Sequence, residues 1–200
     1  MILLLHISSN IKKMKKYIIP SIRITIVLTI VLCVIYPVSI MLAGKLSKGA
    51  GNGETVMVNG KVVGYANVGQ SFTKPQYFWG RPSAVAYNAA GSGGSNKGPS
   101  NPDYLKDVSN RIDSLLKYHP YLKRSEIPAD LVTASGSGLD PDLSPEAVKI
   151  QIKRVATFRK LDEQKVAALV DSHIEAPLLG LFGPPKVNVL KLNVALDQLK

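Results

Sequence analysis

The longest run of hydrophobic positions lies between Ile24 and Ala43, where 20 consecutive residues include no charged side chain. A bilayer core about 30 Å thick is crossed by roughly 20 apolar residues, at about 1.5 Å of helical rise each. The run also has no polar stripe, which a helix on the surface of a soluble domain would show. The pattern therefore predicts one membrane-spanning helix that contains Cys33, with a tolerated kink at Pro37 near its end.

A signal peptide is the alternative interpretation of this run. Four lysines precede it and small residues follow it, so cleavage after Ala43 would release a secreted binding protein. The apolar core of a signal peptide usually has about 7–15 residues, which is shorter than this run. A retained membrane anchor is therefore favoured.

The basic residues around the span predict its orientation. Five of them, in residues 12–23, precede the span, whereas only Lys45 and Lys48 follow it closely. The positive-inside rule then places a head of residues 1–23 in the cytoplasm and the rest of the chain outside. A second methionine, Met14, begins a complete basic start of its own and is the expected start of translation, so His6 is given no role.

After the span, residues 44–53 are rich in Gly and Ser and predict a flexible linker. Residues 54–200 predict one soluble α/β (α+β) domain with a small mixed sheet and about three to four helices. Asn59-Gly60 between two Val-rich runs predicts a β-hairpin whose second strand extends towards Phe72. Further strands are predicted over 130–134 and 187–190.

Helix starts are marked by a capping side chain, in two cases followed by proline and an acid. Four helices are predicted on this basis, with caps at Asn101, Ser144, Asp162 and Asn193. The second has an apolar stripe that includes Val148 and Ile152, and Gln151 and Arg154 fall elsewhere on its circumference.

Two kinds of segment between these elements are candidates for function. Residues 77–81 concentrate three aromatics and an arginine beside prolines, which predicts either a plug at the edge of the core or a recognition surface. The glycine-rich segments 89–99 and 135–141 are read as turns, with an anion-binding nest as the alternative. Neither has the glycine–lysine order of a phosphate-binding loop.

Charge and composition exclude several classes of function. The formal charge is +11, but all 14 acidic residues and 20 of the 25 Lys and Arg follow Ala43, so the soluble part carries only a scattered +6. The head's charge is explained by topology and anionic lipid, and nucleic-acid binding is not expected. Three histidines and a single cysteine inside the span give no zinc-binding pattern, so no metal site is expected.

A serine hydrolase is a further alternative, in which Ser135 or Ser137 pairs with His173. The sequence lacks the Gly-x-Ser-x-Gly frame after a strand that this chemistry usually requires. An independent enzyme is therefore disfavoured.

Several long motifs follow one another along the chain: GQSFTKPQYFWGRPSA, GSGGSNKGP, LVTASGSGLDP, QIKRVATFR and VNVLKLNVALD. Together with the single span, and from MKKYIIPSIR to LNVALD, they resemble the KdpC family, the C subunit of the bacterial potassium-transporting Kdp ATPase. The resemblance implies a high-affinity potassium uptake complex with a channel-like subunit, a P-type ATPase subunit and a small hydrophobic subunit. It implies that ATP and potassium are used by the complex, and that this chain binds no cofactor alone and is not an enzyme.

The family is described as a catalytic chaperone that raises the ATPase subunit's affinity for nucleotide. This implies nucleotide contacts at Ser135, Ser137, Gly138, Asp140 and Gln151. An extracytoplasmic domain could not reach cytoplasmic ATP, so the predicted orientation instead favours a role in assembly and gating. The candidates for contact with partner subunits are Tyr77, Phe78, Trp79, Arg81, Ser83, Ser95 and Asn96.

Overall fold

The structure, a computed structural model, describes the backbone of residues 2–199 and the side chains of residues 16–199. The expectations for His6 and Met14 concern side chains outside the described set. The chain forms two compact units, of which one ends at Gly53 and the other begins at Glu54.

The first unit is a long helix made of α1 (Ile2–Ile30), a π-helical turn (Val31–Ile35) and α2 (Tyr36–Gly44). One stretch of it, Lys16–Gly44, is long and apolar enough to cross a membrane. It includes the predicted span from Ile24 to Ala43. Pro37 has no N–H to donate to the preceding turn, and the π-helical turn ends at Ile35, two residues before it, where the hydrogen-bond ladder must be rearranged.

The second unit begins with the predicted hairpin, β1 (Thr55–Val58) and β2 (Lys61–Tyr65), which pair antiparallel. Asn59 and Gly60 have φ angles of 51° and 77°. Positive φ at both central positions is what a type I′ turn requires, and the hairpin prediction is confirmed. The extension towards Phe72 is wrong, because β2 ends at Tyr65.

A second sheet contains β3 (Asp142–Leu143), β4 (Ile174–Glu175) and β5 (Lys186–Asn188) in the order β3-β5-β4. The predicted mixed sheet is wrong in this respect, since every strand pair among the described residues is antiparallel. The strands are only two or three residues long, and the alternation of apolar and polar positions does not distinguish the two pairings.

Five α-helices complete the unit: α3 (Pro102–Tyr118), α4 (Pro145–Lys149), α5 (Ile152–Arg159), α6 (Glu163–Ser172) and α7 (Val189–Gln198). The predicted caps of α3, α4 and α6 are confirmed, because each capping side chain accepts a backbone N–H of its helix. The helix predicted from Ser144 is divided by a turn at Ile150–Gln151 into α4 and α5.

The last helix begins earlier than predicted. Asn188, rather than Asn193, caps α7 and accepts a hydrogen bond from the N–H of Lys191 at 3.0 Å. The strand predicted over 187–190 therefore stops at Asn188. Asn188 follows Val187 in the run that predicts a strand, and it is also a favoured helix-capping residue. The cap ends the strand there.

The strand predicted over 130–134 is also wrong. Residues Ala129–Leu131 form a 3₁₀ turn directly after Pro128. The N–H groups of Val132 and Thr133 both donate to the carbonyl of Ala129, at 3.1 and 2.9 Å, and the Thr133 hydroxyl donates to the same oxygen at 2.7 Å. These donors are used within the turn, so they are not available to a β-ladder.

The core of the second unit is formed by side chains from α4–α7 and β5. Those with no exposed surface include Val148, Val155, Val166, Val170, Val187, Leu192 and Leu196. Phe78, from the loop of residues 74–81, is equally buried and joins this core. We call this segment the aromatic loop; its attachment to the helices determines the geometry of the candidate site.

Candidate functional site

The backbone of the aromatic loop is held by two buried amide side chains. Asn193 of α7 accepts a hydrogen bond from the N–H of Phe78 and donates one to its carbonyl, both at 2.9 Å. Gln151 does the same for Trp79, at 2.9 and 3.2 Å. The two amides thus pair successive residues of the loop as a neighbouring strand would, which allows an irregular segment to be buried.

A buried arginine completes this attachment. Arg154 is 2% exposed, and its guanidinium donates to the carbonyls of Pro75 and Tyr77, the latter at 3.0 Å, and to Gln151 Oε1 at 2.7 Å. It also lies 4.0 Å from the centre of the Trp79 ring. Burial lowers the pKa of Arg154 to about 10, so the group is still a cation at neutral pH.

The remaining donor of this guanidinium points at a histidine. Arg154 Nε donates to His119 Nε2 at 2.9 Å, and His119 Nδ1 lies 2.8 Å from the carbonyl of Leu115. Because the arginine has only donors, Nε2 must be unprotonated and Nδ1 must carry the proton. Burial of the fully enclosed ring, helped by the charge of Arg154, lowers the pKa of His119 to about 4 despite the hydrogen bond to Leu115.

A second arginine of α5 holds the outer part of the aromatic loop. Arg159 donates to the carbonyl of Gln76 at 2.8 Å and pairs with Asp197 of α7 at 2.6 Å. Its guanidinium lies 4.7 Å from the Tyr77 ring, and the Tyr77 hydroxyl donates to Asp197 at 3.2 Å. The loop is therefore fixed between α5 and α7 at both its buried and its outer edge.

Three further loops meet beside it: residues 80–87, 91–96 and 135–140, which we call the loop cluster. The N–H of Gly93 donates to the carbonyl of Ser137 at 2.8 Å, and the Ser92 hydroxyl donates to the same oxygen at 2.9 Å. The N–H of Ser135 donates to the carbonyl of Pro82 at 3.3 Å. Motifs that are 44 to 53 residues apart in the sequence are thus joined by hydrogen bonds.

Gly138 is the point of closest approach in the loop cluster. Its φ is +68°, and a Cβ atom there would lie 2.6 Å from Val85 Cγ2 and 2.8 Å from the carbonyl oxygen of Gly93. Both the backbone angle and the missing space exclude a larger side chain. Glycine at this position lets the segments 80–87, 91–96 and 135–140 touch.

The partner-contact candidates are divided between surface and interior. Ser95 and Asn96 are exposed, and Arg81 pairs with Asp140 at 3.0 Å, with about a quarter of each side chain exposed. Ser83 accepts hydrogen bonds from two N–H groups of its own loop, and Phe78 is fully buried. Tyr77 and Trp79 are half-buried, so the aromatic loop is mainly the core plug that was one of its two interpretations.

The nucleotide candidates are divided in the same way. Ser137 is exposed, whereas Ser135 is buried and its hydroxyl accepts the N–H of Gly138 at 2.9 Å. Gln151 is fully buried, and both polar atoms of its amide bond protein groups, including the carbonyl of Ala147 at 3.0 Å. The structure brings Ser135, Ser137 and Asp140 together in the loop cluster and places Gln151 beneath the aromatic loop.

The suggested serine and histidine pair is not assembled. His173 ends α6, where its Nδ1 lies 2.8 Å from the carbonyl of Leu169 and 3.1 Å from the Ser172 hydroxyl. Among the described side chains, no contact links it to Ser135 or Ser137. No group of three or more metal-binding side chains occurs there either.

Arg154, His119 and Asn193 are the residues of this site that the sequence did not indicate. The helical pattern placed Arg154 off the apolar stripe of its helix, and it is buried because the aromatic loop covers that side. The only local sign of this burial is that Arg154 stands between Ile152 and Val155, which are both buried.

A family model, KdpC, described as the K+-transporting ATPase c chain, matches residues 18–198. A Flavobacterium johnsoniae protein named potassium-transporting ATPase KdpC subunit is 61% identical over 178 residues, which cover 89% of this chain and 96% of the relative. A protein of the same name from Bacteroides fragilis is 52% identical, and the match covers 92% of this chain and 98% of the relative. Another from Caldanaerobacter subterraneus is 49% identical, and the match covers 88% of this chain and 92% of the relative.

Proposed function

The chain belongs to the KdpC family of K+-transporting ATPase subunits, and we propose on this basis that it is a non-catalytic, membrane-anchored subunit that supports ATP-driven potassium uptake. The observation that carries the proposal is the extent of the similarity. It includes both the membrane-spanning segment and nearly all of the domain, so the whole architecture is that of the family.

We infer that the domain lies outside the inner membrane, where it works with the channel-like subunit near the entrance for the ion. The lysine asymmetry around the span supports this orientation. The loop cluster supports a contact role, since Ser95, Asn96 and Ser137 are exposed on loops that are fixed to one another. The P-type ATPase subunit and the small hydrophobic subunit complete the proposed assembly.

The family's description as a nucleotide chaperone fits this proposal only through the other subunits. A direct contact between ATP and Gln151 would require its amide to give up its hydrogen bonds to Trp79, Ala147 and Arg154. We propose instead that the domain favours one state of the complex by contacting it differently in each state, because only such differential contact can change nucleotide affinity at a distance.

The test is potassium uptake by cells in which this complex is the only high-affinity route. Deleting the chain is expected to abolish growth at limiting potassium, and the full chain is expected to restore it. The purified chain alone should hydrolyse no ATP above the buffer blank. Undiminished uptake without the chain, or ATP turnover by the chain alone, would contradict the proposal.

A further inference from the structure

The connection between β4 and β5, residues 176–185, carries a cluster of large apolar side chains that are mostly exposed. Their exposed fractions are 70% for Leu178, 81% for Leu179, 82% for Leu181 and 63% for Phe182. We call these four residues the apolar tip. Exposed apolar side chains that are adjacent in this way mark a surface that interacts with something else.

The apolar tip is a closed turn rather than an open loop. Leu178 and Phe182 exchange two backbone hydrogen bonds of 3.0 Å, one in each direction. Leu179 and Gly180 have φ angles of 56° and 72°, and the N–H of Gly180 donates to the carbonyl of Pro177 at 2.8 Å. The four side chains are therefore presented by a fixed backbone, at the end of a hairpin whose strands pair Ile174 with Val187.

The chemistry of the segment matches an environment that supplies no hydrogen bonds. Residues 176–185 include no charged or polar side chain, and three of them are prolines, which have no N–H. The N–H groups of Leu178, Gly180, Leu181 and Phe182 all donate within the turn. Unpaired backbone groups are the main cost of leaving water for hydrocarbon, and four of the seven N–H groups of this segment are paired within the turn.

The chain itself keeps the domain near such an environment. The membrane-spanning helix ends at Gly44 and the second unit begins at Glu54, so nine residues connect them. A nine-residue chain spans at most about 30 Å. Glu54, the first residue of the domain, therefore lies no more than about 30 Å from the end of the span, whichever side of the membrane the domain occupies.

We propose that the apolar tip inserts into the interfacial region of the bilayer in which the same chain is anchored. The domain then has two attachments to the membrane, the span and the tip, which restrict its orientation. Insertion of four apolar side chains, without a second anchor, gives only reversible binding to a membrane. The covalent tether raises the concentration of the tip near lipid and so increases the fraction that is inserted.

The test uses the full chain in phosphatidylcholine vesicles, without other subunits. The cysteine of a Leu181→Cys variant, made in a Cys33→Ser background, is labelled with an environment-sensitive fluorophore. Lipids with a nitroxide near the carbonyl end of the acyl chain act as the quencher. Ser95→Cys, on the exposed loop cluster, is the matched control. Quenching at position 181 is expected to exceed that at position 95 by about threefold or more, as for a group at the headgroup boundary.

A second variant separates insertion from simple proximity. Replacing Leu179 and Phe182 with serine in the Leu181→Cys protein is expected to reduce quenching to the level of the Ser95→Cys control. Equal quenching at both positions, or quenching that the serine variant leaves unchanged, would overturn the proposal. The proposal would also be overturned if the fluorophore at position 181 became shielded only when the other subunits of the potassium-transporting complex were added, because the tip would then dock on protein. None of these outcomes bears on the proposed role in potassium uptake.

Discussion

Replacing Arg154 with methionine is expected to lower the free energy of unfolding of the domain by about 3–5 kcal/mol. Methionine retains most of the apolar stem, but the guanidinium donors are lost. The carbonyls of Pro75 and Tyr77, the amide oxygen of Gln151 and His119 Nε2 then lie buried with fewer donors. Whole domains are stable by only about 5–15 kcal/mol, so the loss is a large fraction of the total.

Urea unfolding of the purified chain in detergent, followed by tryptophan fluorescence, measures this effect. Trp79 is the single tryptophan of the chain and stacks on Arg154, so its emission reports the aromatic loop. Arg124→Met is the matched control, because Arg124 pairs with Asp113 where both side chains are more than half exposed. The control should cost less than about 1 kcal/mol. A similarly small loss for Arg154→Met would show that the loop does not depend on the buried cation.

The stability of the domain is expected to fall as the pH is lowered from 7 to 4, and His119 contributes to this fall. Its pKa is about 4 in the folded protein, against about 6.5 for an unfolded chain. Between these values the unfolded state binds more protons, so stability rises with pH and is lost as pH falls. The difference corresponds to at most about 3 kcal/mol from this residue. Protonation at Nε2 would also set a positive ring against Arg154.

His119→Gln isolates that contribution. The variant cannot take up a proton at this position, so it is expected to be less stable than the natural protein at pH 7 but to lose less stability between pH 7 and pH 4. His173→Gln is the control, because His173 does not contact the Arg154 network. Identical pH dependence in the His119→Gln variant and the natural protein would contradict the assignment of a neutral, buried imidazole.

The elements that the sequence predicted correctly depend on rules that act over a few residues. The long apolar helix follows from the length of an apolar run, the hairpin from Asn59-Gly60, and the starts of α3, α4 and α6 from their caps. The strand predicted over 130–134 was wrong, and the strand predicted over 187–190 was too long. Local interactions explain both errors. At Thr133 and Asn188 a local turn or cap uses the backbone groups, and apolar content alone does not reveal that competition.

The candidate site was less predictable, because its contacts join distant segments. Arg154 and Gln151 were assigned to the polar circumference of a single helix, but the break at Ile150–Gln151 and the covering aromatic loop bury both. The loop that they hold is more than 70 residues away in sequence. Glycine-rich motifs such as that at Gly138 indicate tight packing, but the partner, here Val85 and Gly93, is set by the tertiary fold.

The proposed placement of the domain outside the inner membrane is tested directly by labelling of single cysteines. The two variants are Ser137→Cys and Ser47→Cys, each in a Cys33→Ser background. Ser137 is exposed in the loop cluster and Ser47 is exposed in the linker. A membrane-impermeant maleimide applied to intact cells with a permeabilised outer barrier is expected to label both. Protection of both until the inner membrane is broken would contradict the account and would place Ser137 on the same side as cytoplasmic ATP.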